Sequence, residues 1–313
     1  MCSSDLAMIK ANTRLPVDTE GDVYSLAACN DVGVKRLSEM MDEFGLDSLD
    51  DLAEHVLSHS RAAVEAEIAK LPKGTYRNTM RIDGYDEPID LTAAITVGEK
   101  TIHVDFTGTT GVQKRGINVP MAYTEAYTCF GLGCVVAARI PNNAGSLAPL
   151  TVSAPPGSIL NAPYPRAVAS RHVIGQMLPD VVFGCLRQAV PERVPAEGTS
   201  CIWMMSLRGP TAKDAADKRG FAITITSNGG TGARPMKDGL DATAYPSGVK
   251  GTPVEIAESI APVVFWRKEL RPDSGGAGKM RGGMGQVIEV ESSKGLPFEL
   301  LAAFDRKIGR AHV

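Results

Sequence analysis

The chain contains 313 residues, of which 43% are hydrophobic, and its formal net charge is −3. This length allows one large domain or two ordinary ones, and the mild negative charge argues against binding to nucleic acid or to an acidic membrane surface. No apolar run is long enough to span a bilayer, and the six cysteines lack the spacing of a zinc site. The composition therefore predicts a cytoplasmic, loop-rich enzyme with reduced and mostly buried thiols.

The first part of the chain predicts a helical hairpin. Apolar residues recur at helical spacing from Glu20 to Phe44, with Thr19 as a plausible N-cap and Gly45 as the stop. A second helix is predicted from Ser48 to Leu71, and the short connection makes the pair antiparallel. Strand-like runs follow the hairpin at 75–82, 89–97 and 101–106.

The second part mixes helices and strands. Residues 118–140 are apolar on most faces of a helix, which is typical of a buried helix, and a further helix at 170–189 is interrupted near Pro179. Later strand-like runs lie at 201–207, 221–226, 262–266, 286–291 and 299–303. The mixed order predicts an α+β fold with largely antiparallel sheets. We divide it into residues 7–110, a hairpin plus strands, and residues 111–307, a glycine-rich main domain.

The two ends look foreign to the protein. One DNA sequence, read on opposite strands, encodes Met1 to Leu6 and Ile308 to His312, and it matches a common sequencing adapter. We therefore expect residues 1–6 and 308–313 to be adapter-derived tails and the natural protein to be longer at both ends. Neither Cys2 nor His312 is given a role.

The most informative stretch runs from Gly229 to Asp241, directly after a strand-like run. Glycines permit positive φ, so successive backbone N–H groups can form a concavity that holds an anion, and arginine offers a planar fork for a carboxylate or phosphate. The alternative is a tight polar turn closed by its own ion pairs. The residues of the predicted substrate or anion site here are Gly229, Gly230, Gly232, Arg234, Asp238 and Asp241.

Four other residues carry chemistry. Arg171 and His172 follow Ser170 at a predicted helix start, which attracts anions. Arg171 could hold a carboxylate there, and His172 could transfer a proton near neutral pH. A satisfied buried polar pair is the alternative. Asp105, at a strand end, is a candidate acid or base, or a metal group, or else it forms an Asx turn. Asn118 is either a ligand-binding amide or the N-cap of the buried helix.

Two patterns that resemble known sites are set aside. His55 and His59 share a helix face, but the zinc-protease pattern needs Glu where the chain has Val56, so a solvated face is favoured. The stretch 273–280 lacks the first glycine of a phosphate loop and the Ser or Thr that follows its lysine. We therefore predict neither a zinc-protease site nor a nucleotide phosphate loop at these positions.

Several segments in the same order together resemble the hydantoinase B/5-oxoprolinase family. The matching segments are Asn12 to Pro16 with Gly21 and Asp22, Leu71 to Tyr76, Asp105 to Thr109, Ile117 and Asn118, Pro141 and Asn142 with Gly145, Ala154 to Ser158, Ala167 to His172, Gly229 to Asp241, and Arg267 to Gly285. They span nearly everything between the two tails.

The resemblance implies an enzyme subunit that works with a hydantoinase A-type partner, which binds and uses ATP. Family members open cyclic amides such as 5-oxoproline or a hydantoin, after phosphorylation activates a carbonyl oxygen for attack by water or carbonate. Arginine, histidine and clustered N–H groups could stabilise the developing oxyanion. The family's more N-terminal region carries His- and Asp-rich motifs that resemble a divalent-metal site. These motifs are absent from this sequence, so the resemblance implies that no metal site lies in this chain.

The sequence therefore predicts a C-terminal fragment of an ATP-dependent cyclic-amide hydrolase subunit within a hetero-oligomer. Arg171, His172 and Asp105 are its candidate catalytic residues. One rival is a subunit of an ATP-dependent acetone or acetophenone carboxylase, and another is a non-catalytic scaffold for the A-type partner.

Overall fold

A computed structural model describes residues 3–13, 16–200, 202–211 and 220–303 of the chain. The fold divides into two compact units, Met1–Ser58 and His59–Val313. This division differs from the predicted boundary after residue 110, because the strands of the first predicted domain belong to a sheet whose fourth strand comes from the later part of the chain. Of the two predicted tails, residues 1, 2 and 308–313 lie outside the described residues.

The first unit is helical. It contains α1 (Ser3–Ala11), α2 (Pro16–Phe44) and the beginning of α3 (Asp50–Ala69). Gly45 has a φ of 64° and ends α2 as predicted, whereas Thr19 lies inside that helix, so its predicted role as N-cap is wrong. Both histidines of α3, His55 and His59, are exposed, in agreement with a solvated face. None of the described residues before Ser60 is buried.

The second unit is built on a four-stranded sheet. Its strands, in the order in which they pair, are β1 (Gly74–Ile82), β2 (Ile89–Val97), β3 (Ile102–Asp105) and β4 (Leu150–Ser153). The first two pairings are antiparallel and the β3–β4 pairing is parallel. A parallel pairing requires a crossover, and here the crossover carries α4 (Met121–Val136) and α5 (Ala144–Leu147). One face of the sheet is buried, as the alternation in β3 predicted.

Two further helices follow, α6 (His172–Gly175) and α7 (Leu178–Leu186), and α7 covers this sheet. The break between them confirms the predicted interruption near Pro179. Almost every residue of α7 is buried, and α7 packs against α4, β1 and β2. The prediction that α4 is buried on most faces is wrong, because an exposed face of α4 lines an open groove of about 940 Å³.

The remaining elements confirm the predicted strands and the α+β class. They are a 3-10 helix (Pro191–Arg193), β5 (Ile202–Pro210), β6 (Gly220–Asn228), α8 (Val254–Ile260), β7 (Val263–Leu270), β8 (Gln286–Ser292) and β9 (Glu299–Ala303). β6, β5 and β9 form one antiparallel sheet in that order, and β7 pairs with β8. In the part of the chain that the structure describes, every helix is too short or too polar to cross a membrane.

Candidate functional site

A small cavity lies beside the predicted glycine stretch. Much of its wall comes from three chain segments: Glu197–Thr199 before β5, Gly229–Ala233 directly after β6, and the glycines Gly282, Gly283 and Gly285 before β8. It encloses about 200 Å³. A cavity of this size suits a small molecule, since pockets for drug-sized ligands occupy roughly 300–1,000 Å³.

The glycines are required because backbone packs directly on backbone. A Cβ on Gly230 would lie 1.8 Å from the carbonyl oxygen of Gly283, and a Cβ on Gly232 would lie 1.8 Å from that of Ala196. Neither glycine has a positive φ, so the cavity does not depend on the left-handed backbone that glycine permits. Glycine serves here to let three segments approach each other, which fixes the cavity walls.

The charged residues of the stretch hold its own loop together. Arg234 donates from Nε and Nη2 to the carbonyl oxygen of Asp238, at 3.0 and 2.8 Å. Asp238 Oδ1 accepts from the backbone N of Arg281 at 2.7 Å, and Asp241 Oδ1 accepts from the backbone N of Met284 at 2.7 Å. The hydrogen bond from Met284, followed by the Arg281 guanidinium, lowers the pKa of Asp241. These contacts fasten the loop to the glycine segment behind it.

A different arginine supplies the cation of the cavity. Arg271, at the end of β7, lines it together with Ser274 and Glu197. Within the described ranges, no carboxylate lies in ion-pair distance of Arg271. Gly230 and Gly232 also line the cavity, and their backbone N–H groups have no acceptor among the described residues. The cavity thus combines a cation, free N–H donors and one carboxylate.

Asp180 is a buried carboxylate that supports one wall, and the sequence analysis missed it. It lies in α7 at 4% exposure, where it accepts hydrogen bonds from the hydroxyl of Ser200 and from the backbone N of Gly198 at 3.3 Å. Because buried carboxylates are costly without partners, this residue holds the 198–200 segment in place. The available signal was an acidic residue within the otherwise apolar sequence of α7.

Arg171 and His172 belong to a second cluster, which includes two tyrosines that the sequence analysis also missed. Tyr123 and Tyr127 stack with ring centroids 4.4 Å apart, and the Arg171 guanidinium lies 5.7 Å from the Tyr123 ring. Burial, followed by the charge of Arg171, holds the pKa of His172 below its usual value. Its Nε2 is buried with no partner among the described residues. A neutral imidazole with an unused nitrogen is suited to accept a proton.

Asp105 lies apart from both clusters. Its Oδ1 accepts from the backbone N of Thr107 at 3.0 Å, which forms the Asx turn that was the alternative interpretation, and from the Thr107 hydroxyl at 2.8 Å. Ser153 Oγ lies 3.5 Å from the same oxygen and 3.0 Å from His103 Nε2. Partial burial acts to raise the pKa of Asp105, but the Thr107 hydrogen bonds and His103 outweigh it, so the pKa is lowered.

Asn118 is fully buried and clamps a loop. Its Oδ1 accepts from the backbone N of Gln113 at 2.7 Å, and its Nδ2 donates to the carbonyl oxygens of Gln113, Arg115 and Ala167. The predicted N-cap role is wrong, because α4 begins after Pro120 with no side-chain cap. The link to Ala167 instead positions the segment that leads to Arg171.

The predicted residues therefore form separate groups. The structure brings Arg171 and His172 together, and it brings the glycines together with Asp238 and Asp241. Among the described residues, no hydrogen bond or ion pair joins Asp105 to Arg171 or His172.

No group of three or more His, Cys, Asp or Glu side chains that could hold a metal ion occurs in the described ranges. Four cysteines in these ranges are free thiols, and Cys185 is the buried one, with a pKa that burial raises to about 12. The prediction that most thiols are buried is therefore wrong for the described cysteines, since Cys29 and Cys134 are exposed and Cys129 is half-buried. Cys2 and Cys201 lie outside the described residues.

Comparison with known protein families identifies the family of the chain. The model of the family described as hydantoinase B/oxoprolinase matches residues 3–311. The chain belongs to the hydantoinase B/oxoprolinase family. This confirms the resemblance carried by the ordered segments, which include the glycine stretch that walls the cavity.

Named members of the hydantoinase B/oxoprolinase family are moderately similar to the chain. A protein named as the putative B component of a D-/L-hydantoinase, from Pseudomonas sp. (strain NS671), is 29% identical over 299 residues, which cover 90% of the chain and 49% of that protein. A 5-oxoprolinase from Dictyostelium discoideum is 29% identical over 295 residues, which cover 91% of the chain and 22% of that protein. The chain thus spans about half the length of the hydantoinase component and a smaller share of the oxoprolinase.

Two solved structures share the fold. The ATP-dependent caprolactamase from Pseudomonas jessenii matches with a TM-score of 0.79 and 24% identity, over 92% of the chain and 51% of that protein chain. A nucleotide-free acetone carboxylase matches with a TM-score of 0.68 and 18% identity, over 87% of the chain and 39% of that chain. At these identities the likeness shows the fold alone.

Proposed function

We propose that the chain is the substrate-holding part of a hydantoinase B-type protein that opens a cyclic amide in an ATP-dependent reaction. The partner in this proposal is a hydantoinase A-type protein that binds and uses ATP. The names of the relatives support a multi-subunit amide hydrolase, since one is the B component of a hydantoinase and another the beta component of a caprolactamase.

The observation that carries the proposal is the chemistry of the glycine cavity. A cyclic amide presents a carbonyl oxygen and a ring N–H, and 5-oxoproline adds a carboxylate. The N–H groups of Gly230 and Gly232 match the carbonyl oxygen, Glu197 matches the ring N–H, and Arg271 matches the carboxylate. The proposed substrate is therefore a small cyclic amide that carries a negative charge, and 5-oxoproline is the first candidate.

The walls suit this role because they are made of packed backbone. N–H donors held by a rigid backbone need no reorganisation when charge develops on the carbonyl oxygen. The proposal assigns His172 as the proton acceptor in a fuller assembly. Burial, followed by the charge of Arg171, lowers the pKa of His172 and keeps this imidazole neutral.

Binding tests the assignment of the cavity. Isothermal titration of 5-oxoproline is carried out on the wild-type chain, on Arg271→Gln and on Arg234→Gln, a matched control whose guanidinium serves its own loop. We expect at least a tenfold weaker affinity for Arg271→Gln and less than a twofold change for Arg234→Gln. 2-Pyrrolidinone, the same ring without the carboxylate, is expected to bind both variants equally. Equal losses in the two variants would count against the proposal.

Turnover tests the reaction class. The full-length protein is assayed with the A-type partner and ATP, once with 5-oxoproline and once with acetone and bicarbonate. Formation of glutamate supports the hydrolase, and ATP-dependent consumption of acetone with bicarbonate would identify a carboxylase instead. If Arg171→Ala and His172→Ala leave both turnover and assembly unchanged, the chain is a scaffold and the catalytic assignment is refuted.

A further inference from the structure

The helix α2 is long and carries no buried residue. Its 29 residues extend about 43 Å at 1.5 Å per residue. Large apolar side chains along it are uncovered: Val34 is 67% exposed, Leu37 45% and Phe44 68%. A surface helix normally buries such a stripe, so α2 presents a face that lacks its cover.

The uncovered face follows a regular 4-3 spacing. The positions on it are Val23, Ala27, Asn30, Val34, Leu37, Met41 and Phe44. This spacing over three heptads is the pattern by which one helix packs lengthwise against another. A single Asn within such a seam fixes register, since it needs a polar partner at one level. We call these seven positions the α2 seam.

Charge decides what can cover the seam. Residues 16–58 contain eleven Asp and Glu against two basic residues, Lys35 and Arg36, for a net charge of −9, while the whole chain carries −3. Both basic side chains already pair within the helix with Glu39. Asp31, next to the seam, and Asp42 make no ion pair among the described residues.

Two copies of the segment 16–58 would bring a net charge of −9 against another of −9, which disfavours self-association. A basic helix would gain both apolar burial and attraction at long range. We propose that the α2 seam is the docking site for a basic amphipathic helix of the partner protein, with apolar residues at 4-3 spacing flanked by Lys or Arg. This proposal rests on the proposed function only in that a partner protein exists.

The test uses the full 313-residue chain and a synthetic helical peptide with Leu and Ile at 4-3 spacing, one seam Asn and Lys at the flanking positions. A second peptide carries Glu in place of every Lys. We expect the lysine peptide to bind at least tenfold more tightly than the glutamate peptide, with an affinity that falls as salt rises. Equal affinity of the two peptides would overturn the proposal.

The chain offers a matched pair of variants. Val34 lies on the seam, whereas Val32 is 58% exposed and lies off it. Val34→Asp is expected to weaken the lysine peptide at least tenfold and to reduce recovery of the complex with the co-expressed A-type partner to a similar degree. Val32→Asp adds the same charge and is expected to change both by less than twofold.

Three results would refute this assignment: equal losses in the two variants, undiminished partner assembly with Val34→Asp, or a homodimer in sedimentation that Val34→Asp dissociates. The readouts are binding and assembly, so an error in the proposed substrate leaves this test unaffected.

Discussion

The close approach of backbone at Gly230 predicts a large and specific effect of adding one methyl group. In Gly230→Ala the new Cβ would lie 1.8 Å from the Gly283 carbonyl oxygen, whereas ordinary contact begins near 3.4 Å. The two segments would have to separate by about 1.6 Å, and such a shift breaks the 2.9 Å hydrogen bond from the N of Gly283 to the carbonyl oxygen of Thr231. The obstacle is backbone, which cannot rotate away as a side chain can.

The expected cost follows from these two terms. Overpacking costs typically about 1–3 kcal/mol, and the lost hydrogen bond adds about 1 kcal/mol, so we expect destabilisation of about 3 kcal/mol. For a unit of this size, about 2–4 °C of Tm are lost per kcal/mol, which gives a fall in Tm of about 6–12 °C. Thermal unfolding followed by circular dichroism measures it.

Gly133 provides the control. It lies inside α4, and a Cβ built there meets nothing within 4 Å. Gly133→Ala should therefore leave the Tm unchanged or raise the stability by about 0.5–1 kcal/mol, because alanine is a better helix former. If Gly230→Ala unfolds at the wild-type temperature, the glycines are not needed for backbone packing and the account of the cavity walls is wrong.

Three further predictions concern titration and burial. Because the pKa of His172 is lower in the folded chain, the unfolded chain binds more protons below about pH 6.5, and the free energy of unfolding decreases as the pH is lowered through that range. Arg171→Gln should move the pKa of His172 up towards its usual value, as measured by NMR titration. Asp180→Ala leaves two buried donors without an acceptor and should cost about 1–3 kcal/mol in urea unfolding, while Asp180→Asn should cost less. Asp105→Ala should lower the free energy of unfolding by about 1 kcal/mol. In the wild-type chain this contribution is lost as the pH falls through the lowered pKa of Asp105. The wild-type and variant chains should therefore have the same stability at low pH.

Elements set by local periodicity could be predicted from the sequence. The helix ended by Gly45 and the alternating strand β3 both depend on neighbours within the same segment, and both are confirmed. The sequence does not predict β4, because four residues carry little pattern and its partner β3 pairs with it across a crossover of more than forty residues. The open face of α4 escapes prediction for a related reason, since composition shows that a helix is apolar but not how many neighbours it has.

The candidate site shows the same limit at the level of single side chains. The glycine stretch does line a cavity, but the sequence favours Arg234 because it is next to the glycines, and its guanidinium is engaged by the carbonyl oxygen of Asp238. Arg271 stands some forty residues away and reaches the cavity through the β7–β8 hairpin. Asp180 supports the opposite wall from α7. Proximity in sequence identifies the loop, and tertiary packing decides which side chains face the cavity.

The separation of the two clusters bears on how such a protein could work. The glycine cavity holds a cation and N–H donors, and the cluster of Arg171 and His172 holds a neutral proton acceptor, yet no hydrogen bond or ion pair among the described residues joins them directly. They are linked mechanically, because α7 follows α6 and its Asp180 fastens the cavity wall at Gly198. A shift of α6 that moved His172 would therefore also move the wall. Substrate binding and the position of the proton acceptor should therefore be coupled through α6 and α7. A substitution of Asp180 should weaken ligand binding and also change the pKa of His172.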